Sequence, residues 1–549
     1  MKSRTVSLAA GRGVTSAASE TKLRPWSVRL RMLVLGFCAA MLMSAPAPAA
    51  KAAEPAQASG QVAPEVLQGL DEFINRVLKD WDAPGVAVSI VKDGKVVLSK
   101  GYGVRDRTTG APMTEDTLFP IQSETKAFTA FTVGLLADEG KLSLDAPVAT
   151  YIPGFRLNEA VATQEVTLRD LLSHRSGLSR YSWLWIANKE LSRRDAMGRM
   201  PHLPLEAPIR TTWNYANMGY VTAAQAVENL AGVPWERFTE ERIIQPLGMT
   251  RTTLSAERAN GDPNHITGTM WRGGRNEVTP MQGTTPMTYS TGGIYSTAND
   301  MTKWMLLQLA EGNYGGKQLI KASALAEMHS PQAITNRPLP PPEFTSAAYG
   351  LGWFVESYRG EKLVEHGGGH GGVNSSLGLI PARELGVSVF VNQNSDLAAY
   401  LMLSIVDRFL GKGGRDWTRE MLAEHRTIAS DHLAKYKNRG QGRIKSAPPS
   451  QQLAAYAGAY QHPGFGTIAV RLEEGKLTAE YGGDKSPLEH WHYDTFAPTA
   501  TTFGNVWAMY DDLRVQFVPD FGGHISSLQL SAVMDGITFR RTEDKSAAR

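Results

Sequence analysis

The feature that most constrains this chain is an ordered set of three short motifs: Ser123-Glu-Thr-Lys126, Tyr215-Ala-Asn217 and His366-Gly-Gly368. Together they supply a nucleophile, a means of activating it and an oxyanion site, provided the fold brings three distant segments to one point. A Ser hydroxyl is a weak nucleophile at its free pKa and needs a neighbouring base or a lowered pKa. Two residues three apart share one face of a helix, so the amine of Lys126 can reach the hydroxyl of Ser123.

Each motif alone is loose. Ser-x-x-Lys recurs as Ser19-Glu-Thr-Lys22 and Ser89-Ile-Val-Lys92, Tyr-x-Asn as Tyr436-Lys-Asn438, and His-Gly-Gly as His370-Gly-Gly372. Context selects among them. The copy at Ser19 lies in a basic, Ala/Ser-rich stretch ahead of the first hydrophobic run. The match at Ser89 sits in a strand pattern, where a spacing of three puts the side chains on opposite faces. The copy at Ser123 opens a helical pattern with Phe128, Phe131, Leu135 and Leu136 on one stripe and Gly140 as a stop. Ser123 is therefore expected at a helix N-terminus, where the dipole favours negative charge on its oxygen.

The flanking segments resemble one family. They include Pro84-Gly-Val-Ala-Val-Ser-Ile-Val-Lys-Asp-Gly94, Asp116-Thr-Leu-Phe-Pro-Ile-Gln122 running into the Ser motif, and Val166-Thr-Leu-Arg-Asp-Leu-Leu-Ser-His-Arg-Ser-Gly-Leu178. Pro246-Leu-Gly-Met-Thr250, Gly292-Gly-Ile-Tyr-Ser-Thr-Ala-Asn-Asp-Met301 and Tyr349-Gly-Leu-Gly-Trp353 continue the match. From about Val66 to about Leu410 the chain resembles the serine β-lactamase and penicillin-binding-protein superfamily, in its class C and D-Ala-D-Ala carboxypeptidase branch.

At 549 residues the chain suggests two or three domains. A net charge of +3 with 20% charged residues indicates neither a nucleic-acid surface nor a polyacidic partner. The first 31 residues hold seven Lys and Arg against one acid and lead into the apolar run Met32 to Met43, then Ser44-Ala-Pro-Ala-Pro-Ala-Ala50. That order describes a secretory signal peptide, too short for a membrane span of ~20 residues. Export to the periplasm or medium is expected, with cleavage near Ala50 or Ala52. Removal of the leader takes away Cys38, the only cysteine. Lipid attachment at Cys38 is disfavoured by the bulky Phe37 before it.

The boundaries read as 1–52 signal peptide and leader, 53–437 catalytic domain, 438–452 linker and 453–549 barrel. Val66 to Trp81 has helical spacing. Val86 to Val91 and Lys95 to Leu98 flank Asp93-Gly94, a hairpin signal. A helical middle carries the first two motifs, and strands return at Leu363-Val-Glu365, Leu377 to Ile380 and Val387 to Val391. Strands at both ends with helices between fit an α/β (α+β) sandwich with an antiparallel sheet and a helical subdomain, as the resemblance implies. Helical pattern resumes from Met402 to about Lys437, and Asn438 to Gln452 reads as a linker. Beyond it Ile468 to Leu472, Lys476 to Tyr481, Trp507 to Tyr510, Arg514 to Val518 and Ile537 to Phe539 read as short strands of a small antiparallel barrel. It resembles the lipocalin-like C-terminal domain of some peptidases of the superfamily, and its expected jobs are assembly as a homo-oligomer or shaping the active-site entrance.

The resemblance carries roles onto individual residues. Ser123 is the nucleophile, and Tyr215 either activates it or protonates the leaving group. A phenol with a pKa near 10 needs a cation such as Lys126 beside it for that task. Asn217 is expected to hydrogen-bond Lys126 and the substrate amide. His366 ends a short strand. The glycines after it, Gly367 and Gly368 with Gly369, let substrate lie against the backbone, and the amides of Ser123 and Gly369 form the oxyanion hole. His366 holds the network together and contacts a substrate carboxylate. Class C β-lactamases carry Lys where this chain has His366, whereas carboxypeptidases and D-aminopeptidases of the branch often carry His, which argues against efficient β-lactam hydrolysis.

His370-Gly-Gly372 reads as the turn into the next strand. His366 with His370 is rejected as a metal pair because three glycines make a helix improbable there. His490-Trp-His492 reads as alternate strand residues on one face. His174-Arg-Ser-Gly177 reads as scaffold that orients the loop below the site, and Asn299 with Asp300 as a helix cap. The expected activity is peptide-amide hydrolysis through an acyl-enzyme, on D-residue, unusual or linearised peptides, with no metal or organic cofactor. The rival readings are an esterase or β-lactamase on the same machinery, and a non-catalytic penicillin-recognition or assembly protein.

Overall fold

The computed structural model describes residues 64–542 apart from 182–183, 185–187, 273–274, 282–284, 337–341, 439, 502–503, 509–511 and 532–536. The proposed signal peptide and the Ser19 motif copy lie outside the described residues.

The central element is an antiparallel sheet of nine strands among the described residues. A meander of Ala333–Ile334, Phe344–Tyr349, Phe354–Tyr358, Glu361–His370, Val373–Ile380 and Leu385–Val391 is completed by the N-terminal hairpin Gly85–Lys92 and Lys95–Asp106, with Ala111–Pro112 at its edge. Gly85–Lys92 inserts beside the last meander strand, with Val88 opposite Val389. Asp93 and Gly94 both take positive φ (50° and 69°), the geometry of a two-residue hairpin turn.

Both faces of the sheet are buried, because alternate residues of the same strands enter two different cores. Val86, Val88 and Ile90 pack with Ile74, Trp81, Leu401 and Trp417. On the other side Ala87, Phe390 and Leu377 pack against the helical lobe, centred on Phe128, Phe131, Trp304 and Trp235. The helix Thr125–Asp138 is buried on nearly every side, so the four-residue stripe read from the sequence understates its contacts.

Several elements differ from expectation. The pattern from Val66 to Trp81 is two helices, Pro64–Leu67 and Leu70–Trp81, interrupted where Gly69 turns to φ 70°. The pattern from Met402 to Lys437 is also two, Leu397–Phe409 and Trp417–Lys437, separated by the glycines at 411, 413 and 414. Asp300 is not the cap of its helix Ala298–Leu309: Thr297 takes that position, and Asp300 receives the N–H groups of Arg251 and Thr252. Asn299 bonds Asp116.

The C-terminal region closes into an eight-stranded antiparallel barrel, from Gly458–His462 to Thr538–Thr542. Tyr460, Ile468, Val470, Phe496, Phe517, Leu528 and Phe539 fill it. Strand pairing is as read at Lys476–Tyr481. Val506–Ala508 is a 3₁₀ turn rather than a strand: Trp507 folds inward and donates to the Asp484 carbonyl at 3.0 Å. A bulge interrupts the pairing between His490 and His492, so they do not continue one regular ladder face.

The barrel is docked on the helical lobe within the same compact unit. Asn188 reaches the Phe465 carbonyl at 3.5 Å, Lys189 pairs with Asp484 at 2.8 Å, and Tyr181 stacks edge-on against Phe465. At Gly464 a Cβ would lie 2.6 Å from Leu203 Cδ2 and 3.2 Å from the His202 carbonyl, so a side chain there would displace the leucine.

Candidate active site

The short strand Phe119–Pro120 pairs with Tyr295–Ser296 and delivers the chain into a tight 3₁₀ turn, Gln122–Glu124, before the long helix begins at Thr125. Gln122 takes φ +51°, a left-handed conformation that costs a non-glycine residue energy and is held here by packing. The turn leaves Ser123 partly exposed while Glu124 and Lys126 are fully buried.

Lys126 Nζ lies 3.1 Å from Ser123 Oγ and donates to the Thr291 carbonyl at 2.9 Å. No carboxylate pairs with it among the described residues. Burial, and then the charge of Arg180, push its pKa well below the ordinary lysine value. An amine held uncharged can accept the proton of the adjacent hydroxyl.

Tyr215 completes the triangle. Lys126 Nζ lies 4.8 Å from its ring centroid. Burial raises the Tyr215 pKa above its ordinary value, against the opposing pull of the neighbouring Ser123 hydroxyl and of Arg180. Lys126 stands beside Tyr215 as expected, and the shifts of both groups favour their neutral forms, one as acceptor and the other as donor.

His174, expected to be scaffold, enters the site itself. It is fully buried with φ +61°, and its backbone carbonyl accepts from Asn214 at 2.8 Å. Its Nδ1 accepts from the Ala216 amide at 3.1 Å. Its ring centroid lies 4.3 Å from that of Tyr215. These contacts clamp the loop that presents Tyr215. Burial first, then Lys126 and His366, hold its pKa well below the usual histidine value, so the ring is neutral with Nε2 carrying the proton. That Nε2 is buried without a partner.

Two other expectations change. Asn217 opens the helix Asn217–Ala231, yet the lysine's bonds go to Ser123 and Thr291, and the buried Asn217 Oδ1 has no partner. It is an acceptor waiting for a donor. His366 does not end its strand: Glu361–His370 runs on through all three glycines. It is 1% exposed, its Nδ1 lies 2.7 Å from the Gly367 carbonyl and its Nε2 lies 3.0 Å from the Tyr349 hydroxyl. It faces the Tyr215–Tyr349 cluster from behind, not an incoming carboxylate.

The glycines divide their work by the two-residue period of the strand. A Cβ on Gly368 would lie 2.4 Å from the Ile121 carbonyl and 2.8 Å from Gln122 Cβ, so this glycine admits the nucleophile turn rather than substrate. Gly367 and Gly369 turn to the other face. The pairing of the neighbouring strand Phe354–Tyr358 with this strand ends at Glu365. Gly371 and Gly372 (φ 66° and 91°) form a two-residue turn closing on the pair His370–Val373. Ladder alternation then points the Gly369 N–H away from Val373–Ile380, to the side where an oxyanion can meet it.

Glu124 was not singled out from the sequence. Its carboxyl is buried beside Ser123, and burial raises its pKa well above the usual carboxylate value. The nearby Ser375 hydroxyl spends its proton on the Ile121 carbonyl at 3.1 Å, leaving both Glu124 oxygens without hydrogen-bond geometry. Among the described residues no cluster of three or more His, Cys, Asp and Glu is disposed to hold a metal ion.

Residues 70–401 match the model of the Beta-lactamase family, and residues 442–545 match a domain of unknown function, DUF3471, which covers the barrel. Among curated proteins, the chain is 27% identical over 462 residues to unguisins hydrolase ungD′ of Aspergillus campestris (strain IBT 28561), spanning 79% of this chain and 83% of the relative. It is 27% identical over 340 residues to protein flp of Staphylococcus aureus (strain N315), spanning 61% of this chain and 65% of that one. Among solved structures, the octameric penicillin-binding protein homologue from Pyrococcus abyssi aligns with a TM-score of 0.56 at 23% identity, covering 84% of this chain and 97% of its own. A class C β-lactamase aligns at 0.52 and 19% identity, covering 64% and 98%. Those two likenesses speak to the fold.

Proposed function

Since the chain belongs to the β-lactamase family of serine hydrolases, we propose that it is an exported peptide hydrolase acting through an acyl-enzyme on Ser123. The observation that carries this reading is the fully buried Lys126 amine 3.1 Å from Ser123 Oγ, with no carboxylate paired to it among the described residues. Lys126 takes the hydroxyl proton as Oγ attacks the carbonyl carbon. The oxygen that becomes negative rests against the N–H groups of Ser123 and Gly369. Tyr215 gives its proton to the leaving amine and regains one from Lys126. Water, relieved of its proton by the same pair, then hydrolyses the ester on Ser123. Asn217 Oδ1 accepts an N–H of the bound substrate.

Peptide amides are favoured over lactams because His366, not lysine, stands on the glycine-rich strand and is turned inward. The name of the fungal relative, a hydrolase, agrees with a hydrolytic role over most of the chain. Self-association through the barrel is part of this proposal, supported by the octameric neighbour, and light scattering of the purified protein tests it. For the chemistry, a fluorophosphonate label attaches to wild type and not to Ser123→Ala. Absence of Ser123-dependent labelling and turnover would remove the enzymatic reading. Rapid nitrocefin turnover, exceeding that of D- and L-peptides, would overturn the peptide preference.

A further inference from the structure

Five of the seven residues from His366 to Gly372 are glycine. Such a stretch has few side chains with which to hold itself, and each glycine gives up more chain freedom on folding than another residue would. Yet the Gly369 N–H must keep its direction closely if it is to meet an oxyanion. That rigidity has to come from neighbours. At Gly368 the neighbour is the nucleophile turn, which leaves no room for a Cβ. At the Gly371–Gly372 turn it is a second hairpin, Gly268–Arg272 with Arg275–Thr279, which the chemistry above does not use.

The hairpin and the turn meet backbone to backbone. A Cβ on Gly268 would lie 2.8 Å from the Gly372 carbonyl oxygen and 2.9 Å from that of Gly371. The Thr269 amide donates to the Gly372 carbonyl at 3.0 Å, and the Thr279 hydroxyl donates to the Gly371 carbonyl at 3.1 Å. Both threonines and both turn glycines are buried, where an unpaired carbonyl is costly. Thr269 is tied in turn to the end of the central sheet. Its hydroxyl donates to the Asn392 carbonyl at 2.8 Å, and its own carbonyl accepts from the Asn394 amide at 2.8 Å. Val391, one residue before Asn392, stands opposite Asn374, and Asn374 stands opposite Gly369. The contacts close a ring around the turn, and Thr279 holds it through a side chain.

The carbonyl that Thr279 holds belongs to the peptide between the two turn glycines. Rotation of that one peptide separates the two hairpin turn forms, I′ and II′, and a Gly-Gly pair suits both. The two forms twist the flanking strands differently, so a strand without side chains follows its turn. We propose that Thr279 is a positioning residue for the oxyanion site: its hydroxyl selects one form of the Gly371–Gly372 turn, and with it the direction of the Gly369 N–H two residues earlier. The assignment rests on the Ser123 reading given above.

The test first counts active sites, by carrying fluorophosphonate labelling to completion, and refers every rate to that count. Thr279→Val, which trades the hydroxyl for a methyl, is expected to lower kcat for a neutral p-nitrophenyl ester about 10- to 100-fold per labelled site, with KM within about threefold. An arylboronic acid, whose adduct on Ser123 sets an oxygen where the oxyanion would rest, is expected to bind more weakly by a similar factor. Thr279→Ser keeps the hydroxyl and is expected to recover kcat to within about fivefold of wild type. Thr279→Ala replaces the valine variant if that one yields no labelled sites. The acid-side midpoint of the kcat/KM profile stays where it is in wild type, because Lys126 is untouched. Wild-type kcat per site and boronic acid affinity in Thr279→Val or Thr279→Ala overturn the assignment, even where the thermal midpoint falls. Equal losses in Thr279→Ser and Thr279→Val overturn it too, since the hydroxyl then makes no difference. Absence of Ser123-dependent labelling and turnover in the parent protein overturns the parent reading and this one with it.

Discussion

The nine-stranded sheet and the eight-stranded barrel are both antiparallel, yet they treat their edges and interiors in opposite ways. The barrel closes every edge onto a partner and fills its inside with aromatic and aliphatic side chains. In the sheet the pairing of Phe354–Tyr358 with Glu361–His370 ends at Glu365, and Lys126, His174, Glu124 and His366 are buried next to it with Tyr215 partly buried. The barrel's polar groups near its core are paired outward, as with the Tyr481 hydroxyl on the Phe465 carbonyl. Around Ser123, by contrast, His174 Nε2, Asn217 Oδ1 and both Glu124 oxygens are buried without partners among the described residues. Unsatisfied buried polar atoms cost stability, and a native fold tolerates them where a ligand or reaction meets them. The buried polar groups of the candidate site gather beside the strand Glu361–His370, and the other sheet contributes packing.

Substitutions in the two regions should therefore separate activity from stability. The largest effect is expected at the nucleophile: Ser123→Ala lowers kcat by at least ~10⁴-fold, while its thermal midpoint stays within a few degrees of wild type because the side chain is partly exposed. Next comes the barrel. Phe517→Ala removes a fully buried ring that meets Tyr456, Tyr460 and Phe496, and urea unfolding should register a loss of about 3–5 kcal/mol. Folded Phe517→Ala should retain Ser123-dependent turnover within several-fold; loss comparable to Ser123→Ala would erase the distinction between the regions.

The two smaller tests use pH. Because the Lys126 pKa is depressed, its amine is the neutral acceptor above that pKa and an ammonium below it. The kcat/KM profile should therefore fall on the acid side, with a midpoint below the free lysine value of 10.5. Glu124 has the opposite sign. Its folded pKa lies above the unfolded value of about 4.5, so its stabilising share is complete below that pH and is lost as pH rises to the folded pKa. Glu124→Gln should gain stability over wild type by up to about 1.4 kcal/mol per pH unit across that window. A gap that stays constant between pH 5 and pH 8 in urea titrations would show that Glu124 is not the buried acid described.

Much of the sandwich was legible because its elements announce themselves locally. Asp93-Gly94 marks the first hairpin, the 3.6-residue period marks the nucleophile helix, and motif order identifies which Ser-x-x-Lys matters. What the sequence hides is set by tertiary contact. His174 acts on Tyr215 across a loop, and nothing in His174-Arg-Ser-Gly177 states which way its ring turns. His366 reads as the end of the strand Leu363-Val-Glu365, with three glycines after it. The strand continues because the nucleophile turn needs the vacancy at Gly368. In the barrel, Asp484–His492 carries Pro487 and outward charges, so its alternation at Ser486 and Leu488 was drowned by polar neighbours.

The contact at Gly464 and Phe465 has a consequence for how such a protein changes over generations. The wall that carries Arg180 and Tyr181 leans on a barrel encoded almost three hundred residues downstream. Exchange of the C-terminal segment between relatives would reshape that wall while leaving every reacting group as it was. Substrate range and reaction chemistry can then be inherited from different parents.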